Sequence, residues 1–150
     1  MPEASLITDD VRALVGRTSE AGTARVTLRA LNRTLDIFRG NHDQEFNDGD
    51  AVPSFVLSAL DFESEGLPMP NLMPDSLLIS NEFEFLRPLR LGETLTSQSR
   101  LADISERFGG QFGYGIYLRS DVEFRDATGE LIARSARTMM QYDASARSER

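Results

Sequence analysis

Apolar residues recur at helical spacing in the first part of the chain and at strand spacing in the second. Thr8-Asp9-Asp10 ahead of Val11 and Leu14 reads as a short capped helix closed by Gly16, because a hydroxyl or carboxylate there accepts from the orphan amides of the first turn. Ala24 to Leu28 is strand-like. Ala30 to Phe38 then sets Leu31, Leu35 and Phe38 on one helical face at spacings of four and three. The most regular helical signal follows. Val52, Phe55, Val56, Ala59 and Leu60 form an i, i+3, i+4, i+7, i+8 stripe, with Asp50 as N-cap and Pro53 in the first turn. This stripe predicts a buried helix, which Gly66-Leu67-Pro68-Met69-Pro70 and Pro74 then forbid from continuing.

From Leu77 onward the pattern is that of strands separated by turns. Phe83 and Phe85 alternate with Glu82 and Glu84, giving one dry and one wet face until Arg87-Pro88 interrupts the ladder. Gly92-Glu93 turns the chain into a strand from Thr94 to Ile104, and Gly109-Gly110 turns it again. In the next strand Tyr114, Ile116, Leu118, Val122 and Phe124 share one face, with Tyr117 and the charged residues on the other. Asp126 to Glu130 is a hairpin loop. Leu131 to Tyr142 is the last strand, whose imperfect alternation points to a bulge. A buried helix followed by a four-strand antiparallel meander predicts a single α+β domain over residues 1–150, with an N-terminal helical extension over about 1–14 and a flexible tail over about 144–150.

Composition narrows the chemistry. The chain has no cysteine, which excludes disulfides, thiolate nucleophiles and cysteine metal sites. Its 16 basic residues are all arginine, which excludes a Schiff-base lysine and a phosphate-loop lysine. A net charge of -8 repels nucleic acid and anionic membrane, so neither is expected as a partner, and local arginines must meet any anionic ligand. Neither a signal peptide nor an apolar run of membrane-spanning length is visible, so a soluble cytoplasmic protein is expected.

Three stretches carry a family resemblance: Val52-Pro53-Ser54-Phe55, the segment Glu84 to Thr94 containing Arg87-Pro88-Leu89-Arg90-Leu91-Gly92-Glu93, and Gly129-Glu130-Leu131-Ile132-Ala133. With the order of elements, they make the chain from about Val15 to Tyr142 resemble the MaoC-like dehydratases in their N-terminal, fatty-acid-synthase-like variant. The resemblance implies a hotdog domain, a curved antiparallel sheet wrapped around a central helix. It implies an acyl-CoA or acyl-ACP thioester as ligand and reversible addition of water across a 2,3 double bond. No metal or dissociable cofactor is implied, since coenzyme A or phosphopantetheine arrives as part of the substrate. It further implies an aspartate and a histidine in the loop before the central helix, and a carbonyl-polarising amide at that helix's start, here Pro53-Ser54-Phe55.

The loop Gly40 to Asp50 is the most chemically loaded of the chain. Where the family typically reads Gly-Asp-x-Asn-Pro-x-His, this sequence, aligned on Gly40, has Asn41 for the aspartate and Phe46 for the histidine. Asparagine does not titrate near neutrality and phenylalanine has no polar atom. His42, the chain's one histidine, stands beside Asp43, and with Asn41 the pair is the candidate catalytic group; the alternative is a solvated loop histidine. Arg87 and Arg90 can meet phosphates of the carrier or brace loops against carboxylates.

Two readings stand: an active hydratase or dehydratase using His42, and a silent hotdog subunit paired edge to edge with an active MaoC-like chain. Either is expected to be at least dimeric, as a homodimer or heterodimer. A thioesterase or a plain acyl-thioester-binding protein is the alternative, with Asp61 or Glu63 as the carboxylate that hydrolysis would need.

Overall fold

The computed structural model describes residues 5–38, 45–62, 66–109 and 113–145. Helix α1 (Asp9–Arg12) is capped as its sequence requires, with the Thr8 side chain accepting from the Val11 amide at 3.3 Å. Strand β1 (Gly22–Arg25) leads into α2 (Leu28–Phe38), where Thr27 Oγ1 accepts from the Ala30 amide at 3.1 Å. Ala30, Leu31, Thr34 and Leu35 make the buried face of α2. Phe38 shares that face by angle, but at the last turn it is 60% exposed and its ring meets Phe55 at 4.8 Å.

The stripe from Val52 to Leu60 is not an α-helix. Ala51–Val52 form a two-residue strand, β2, and Ser54–Ala59 form a 3-10 helix of six residues. The cause is local competition for backbone groups. The Asp50 side chain accepts from the Asn47 amide at 2.8 Å, and its carbonyl accepts from Leu91 N at 2.9 Å. Val52 pairs with Leu89, and Pro53 at ψ 141° is extended. A chain held this way enters a helix only at Ser54, and Leu60 at ψ 137° ends it. The buried helix of this layer is therefore α2, with the 3-10 helix packed beside it through Val56 and Leu57.

The remaining strands are β3 (Asp75–Phe85), β4 (Leu89–Arg90), β5 (Thr94–Arg107), β6 (Gly115–Arg125) and β7 (Leu131–Tyr142). The main sheet runs β1-β5-β6-β7-β3, all antiparallel, while β2 and β4 form a separate small ladder. The expected four-strand meander is thus a three-strand one. The segment after β3 carries the chain away from its sheet edge, through β4, to the far side beside β1, and β3 pairs with β7 instead of β5.

Three bulges bend the sheet, at Ile79 in β3, Ala102 in β5 and Ile132 in β7, where the register steps two residues against one. The last confirms the irregularity expected in β7. Each bulge also resets which side chains point inward. Leu95 and Leu101 are buried before Ala102 and Ile104 after it, a spacing that regular alternation would not permit. On the concave side, Val26, Leu31, Leu35, Val56, Leu95 and Ile132 belong to one core, fully removed from solvent. A second core, with Ile7, Leu101, Ile104 and Ile116, lies under the N-terminal segment. This is the α+β arrangement expected, a curved sheet closed over helices. None of the helices is long and apolar enough to cross a membrane among the described residues.

Candidate functional site

Asn41, His42 and Asp43 lie outside the described residues, so the structure assigns them no geometry. The chain is described again from Glu45. Phe46, which the alignment on Gly40 sets against the family's histidine, is half-buried and packs against the first core. Just beyond it the chain is pinned to the turn after β4, with Gly49 N donating to Leu91 O at 2.8 Å. Gly92 makes that turn at φ +90°, and a Cβ there would stand 3.1 Å from Asp48 Oδ1. Glycine suits this position on both counts.

Pro53, Ser54 and Phe55 open the 3-10 helix, positioned by the β2–β4 ladder. Ser54 is exposed and its backbone leads the element, but six residues of 3-10 helix add little macrodipole. Any polarisation here comes from a single amide. Phe55 turns its ring onto Phe38, which closes the apolar side of the helix start.

Arg87 is held by carboxylates. Its Nη2 lies 2.6 Å from Glu93 Oε1 and 3.1 Å from Asp126 Oδ2, and its Nη1 donates to Glu93 Oε2 at 3.0 Å and to the Pro88 carbonyl at 2.8 Å. The Glu93 hydrogen bonds, followed by those of Asp126, raise the guanidinium's pKa further above its already high range. Asp126 in turn is held down to about 2, first by the Thr128 hydroxyl, then by Arg87 and the amides of Thr128 and Glu130. The network ties the turn after β3, the Gly92 turn and the β6–β7 hairpin together. It is the bracing geometry. Arg90 is exposed, and its Nη1 donates to the Gly49 carbonyl at 3.3 Å.

Between the 3-10 helix and the concave face of the sheet runs a cleft of about 360 Å³. Leu57, Phe62, Leu67 and Met69 form one wall, and Phe83, Val122 and Phe124 line the other side. The same cleft receives Asn81, Ser99, Ser120, Ser135 and Arg137 from the sheet. Sequence reasoning missed these polar positions. The signal was present in the alternation of Ser135 with Arg137, but the bulge at Ile132 hid which parity faces inward. Asp61 faces elsewhere, into a groove with Arg25, Arg29 and Arg33 beside α2, and Glu63 lies outside the described residues. The cleft therefore has no described carboxylate to direct water at a thioester. Among the described residues, no cluster of three His, Asp or Glu side chains converges as a metal site would require.

Residues 13–135 match the family described as the FAS1-like, dehydratase domain region. No curated protein matches the chain. Among solved structures it is similar to a chain of the ChsH1–ChsH2 complex from Mycobacterium tuberculosis, at 15% identity and TM-score 0.66, covering 83% of this chain and 84% of that one. It is similar to the MaoC-like dehydratase from Rhodospirillum rubrum, at 18% identity and TM-score 0.60, with 85% and 92% covered. The HadBC complex, a 3R-hydroxyacyl-ACP dehydratase from Mycobacterium tuberculosis, gives 14% identity and TM-score 0.61, with 85% and 96% covered. At these identities the likeness is one of fold, whereas the family match spans most of the sequence. The chain belongs to the FAS1-like dehydratase domain region family, with the hotdog fold of the MaoC-like dehydratases.

Proposed function

We propose that the chain is the acyl-thioester-binding component of a two-chain hydratase or dehydratase whose proton-transfer groups come from a second hotdog chain. The reaction adds the hydroxyl of water to C3 and a proton to C2 of a 2-enoyl thioester, or reverses this. The observation that carries the reading is Phe46. Aligned on Gly40, the sequence has this half-buried ring, packed against the core, in place of the family's histidine, and a phenyl group moves no proton. Coenzyme A or phosphopantetheine enters as part of the substrate.

The edge of the sheet supports the partner. β3 has β7 on one side and no described strand on the other, and Leu77, Leu78, Ile79 and Phe83 along it are each between 42% and 49% exposed. An open apolar strand of this kind is completed by a strand from another chain. Two of the similar structures, ChsH1–ChsH2 and HadBC, are complexes of two such chains by their own descriptions.

The test is hydration of a short and a long 2-enoyl-coenzyme A by the purified chain, alone and with a MaoC-like chain encoded beside it, in wild type and His42→Ala. No activity alone and a gain on mixing that ignores the substitution is the expected result. Activity alone that collapses in His42→Ala would replace this reading with an active site built on His42 and Asp43.

A further inference from the structure

Part of the cleft's polar lining has no side-chain partner among the described residues. Asn81, Arg137 and Ser120 stand on one rung across β3, β7 and β6, and Phe83, Ser135 and Val122 on the next. Ser120 is 7% exposed and Ser135 8%, yet neither hydroxyl has a hydrogen-bond partner among the described residues. Buried hydroxyls are normally satisfied, so these two, both lining one cleft, are free to donate to whatever fills it. Arg137 is the cation of the same surface. Arg87, Arg119, Arg125 and Arg134 each have a carboxylate within salt-bridge reach, in a chain with a large acidic surplus. Arg137 has none among the described residues, which it shares with others such as Arg33 and Arg100, and it is the arginine that lines this cleft.

We propose that this cleft takes an apolar chain or ring bearing a carboxylate remote from the thioester, with Arg137 as its counter-ion and Ser120 and Ser135 as donors. The opposite wall is apolar, through Leu57, Phe62, Leu67 and Met69, so the hydrocarbon has a surface to cover. Arg137 is exposed, and its planar guanidinium fork matches a carboxylate. A volume of about 360 Å³ lies at the small end of ligand pockets, which start at roughly 300 Å³. This names the acyl class within the proposed function, and it rests on that reading only in taking the cleft as the acyl compartment.

Binding of free octanoate and of octanol to the purified chain, followed by titration calorimetry, tests the site without any hydration chemistry. Arg137→Gln should weaken octanoate by about tenfold or more and leave octanol unchanged, as the loss of a charge-assisted bidentate pair predicts. Arg137→Lys should keep part of the affinity. Ser120→Ala should weaken octanoate while leaving the urea midpoint unchanged or higher, because the hydroxyl it removes has nothing to lose in the free protein. This last pairing separates a ligand-facing hydroxyl from a structural one. Equal binding of octanoate and octanol, or no binding of either, overturns the proposal. So does an Arg137→Gln variant that changes oligomeric state and leaves octanoate binding intact, which would give the cation to an interface. Absence of hydratase activity with any partner, alongside Arg137-dependent octanoate binding, would remove the proposed reaction and leave this site standing.

Discussion

Arg87 and Glu93 form a bidentate pair across the turn of Gly92, with Nη2 to Oε1 at 2.6 Å and Nη1 to Oε2 at 3.0 Å. Glu93 also accepts from the Arg90 amide, so one carboxylate fixes both arginines of the segment. Arg87→Leu should lower stability by about 1–2 kcal/mol, more than a typical exposed pair, because the largely covered Glu93 and Asp126 side chains are left without a cation. Arg87→Lys should recover only part, since an ammonium cannot make the fork. Urea midpoints of the two variants check this ordering, and equal loss in both would contradict it.

Asp126 makes the same brace sensitive to acid. Its folded pKa of about 2 lies below the ordinary value of 3.8, so its contribution is complete above pH 4 and is lost as pH falls from about 4 to about 2. In Asp126→Asn the urea midpoint should start lower at neutral pH, and its fall across that window should be shallower than in wild type. Parallel curves would show that Asp126 is not a source of the acid loss.

Gly92→Ala places a side chain at φ +90° and 3.1 Å from Asp48 Oδ1. The substitution should cost about 1 kcal/mol or more, because alanine is strained at positive φ and Asp48 must give way. It should also loosen the chain at Asp48 and Gly49. Hydrogen exchange of the Gly49 amide, bonded to Leu91 O, reads this directly.

The limits of the sequence follow from the range of each interaction. Alternation in β6 was legible because each side chain's face depends only on its parity, and Ile116, Leu118 and Phe124 are indeed buried. The place of β3 was not, since nothing within Asp75–Phe85 states whether its neighbour is β5 or β7. The Val52 to Leu60 stripe misled because Asp50 and Val52 spend their backbone groups on Leu91 and Leu89, about forty positions away. Arg87 carried both of its expected meanings until Asp126, remote in sequence, closed on it. Of the candidate site, Pro53, Ser54 and Phe55 fall together as expected at the start of a helix, though a 3-10 one. Arg137 escaped because a bulge decides which way it faces.

Tyr114 anchors the N-terminal segment. Its hydroxyl accepts from the Leu6 amide at 3.2 Å and donates to Glu106, which also accepts from Ser5 Oγ at 2.7 Å. Burial, then the Glu106 contact, raises the Tyr114 pKa, while the Tyr114 hydroxyl lowers that of Glu106. Tyr114→Phe should cost about 1 kcal/mol and expose the first turn of the chain to protease well before global unfolding. A cleavage rate unchanged from wild type would mean that Ile7, packed among Leu101 and Ile104, holds the segment by itself.

Leu77, Leu78 and Ile79 occupy the open edge strand, while the charges of Glu82 and Glu84 guard only its later half. With this edge uncovered, the chain presents a bare β template of the kind that seeds fibrils and inclusion bodies. Under the proposed function, yield in recombinant expression is expected to rise when the second hotdog chain is translated alongside it, so that folding and pairing keep pace with synthesis.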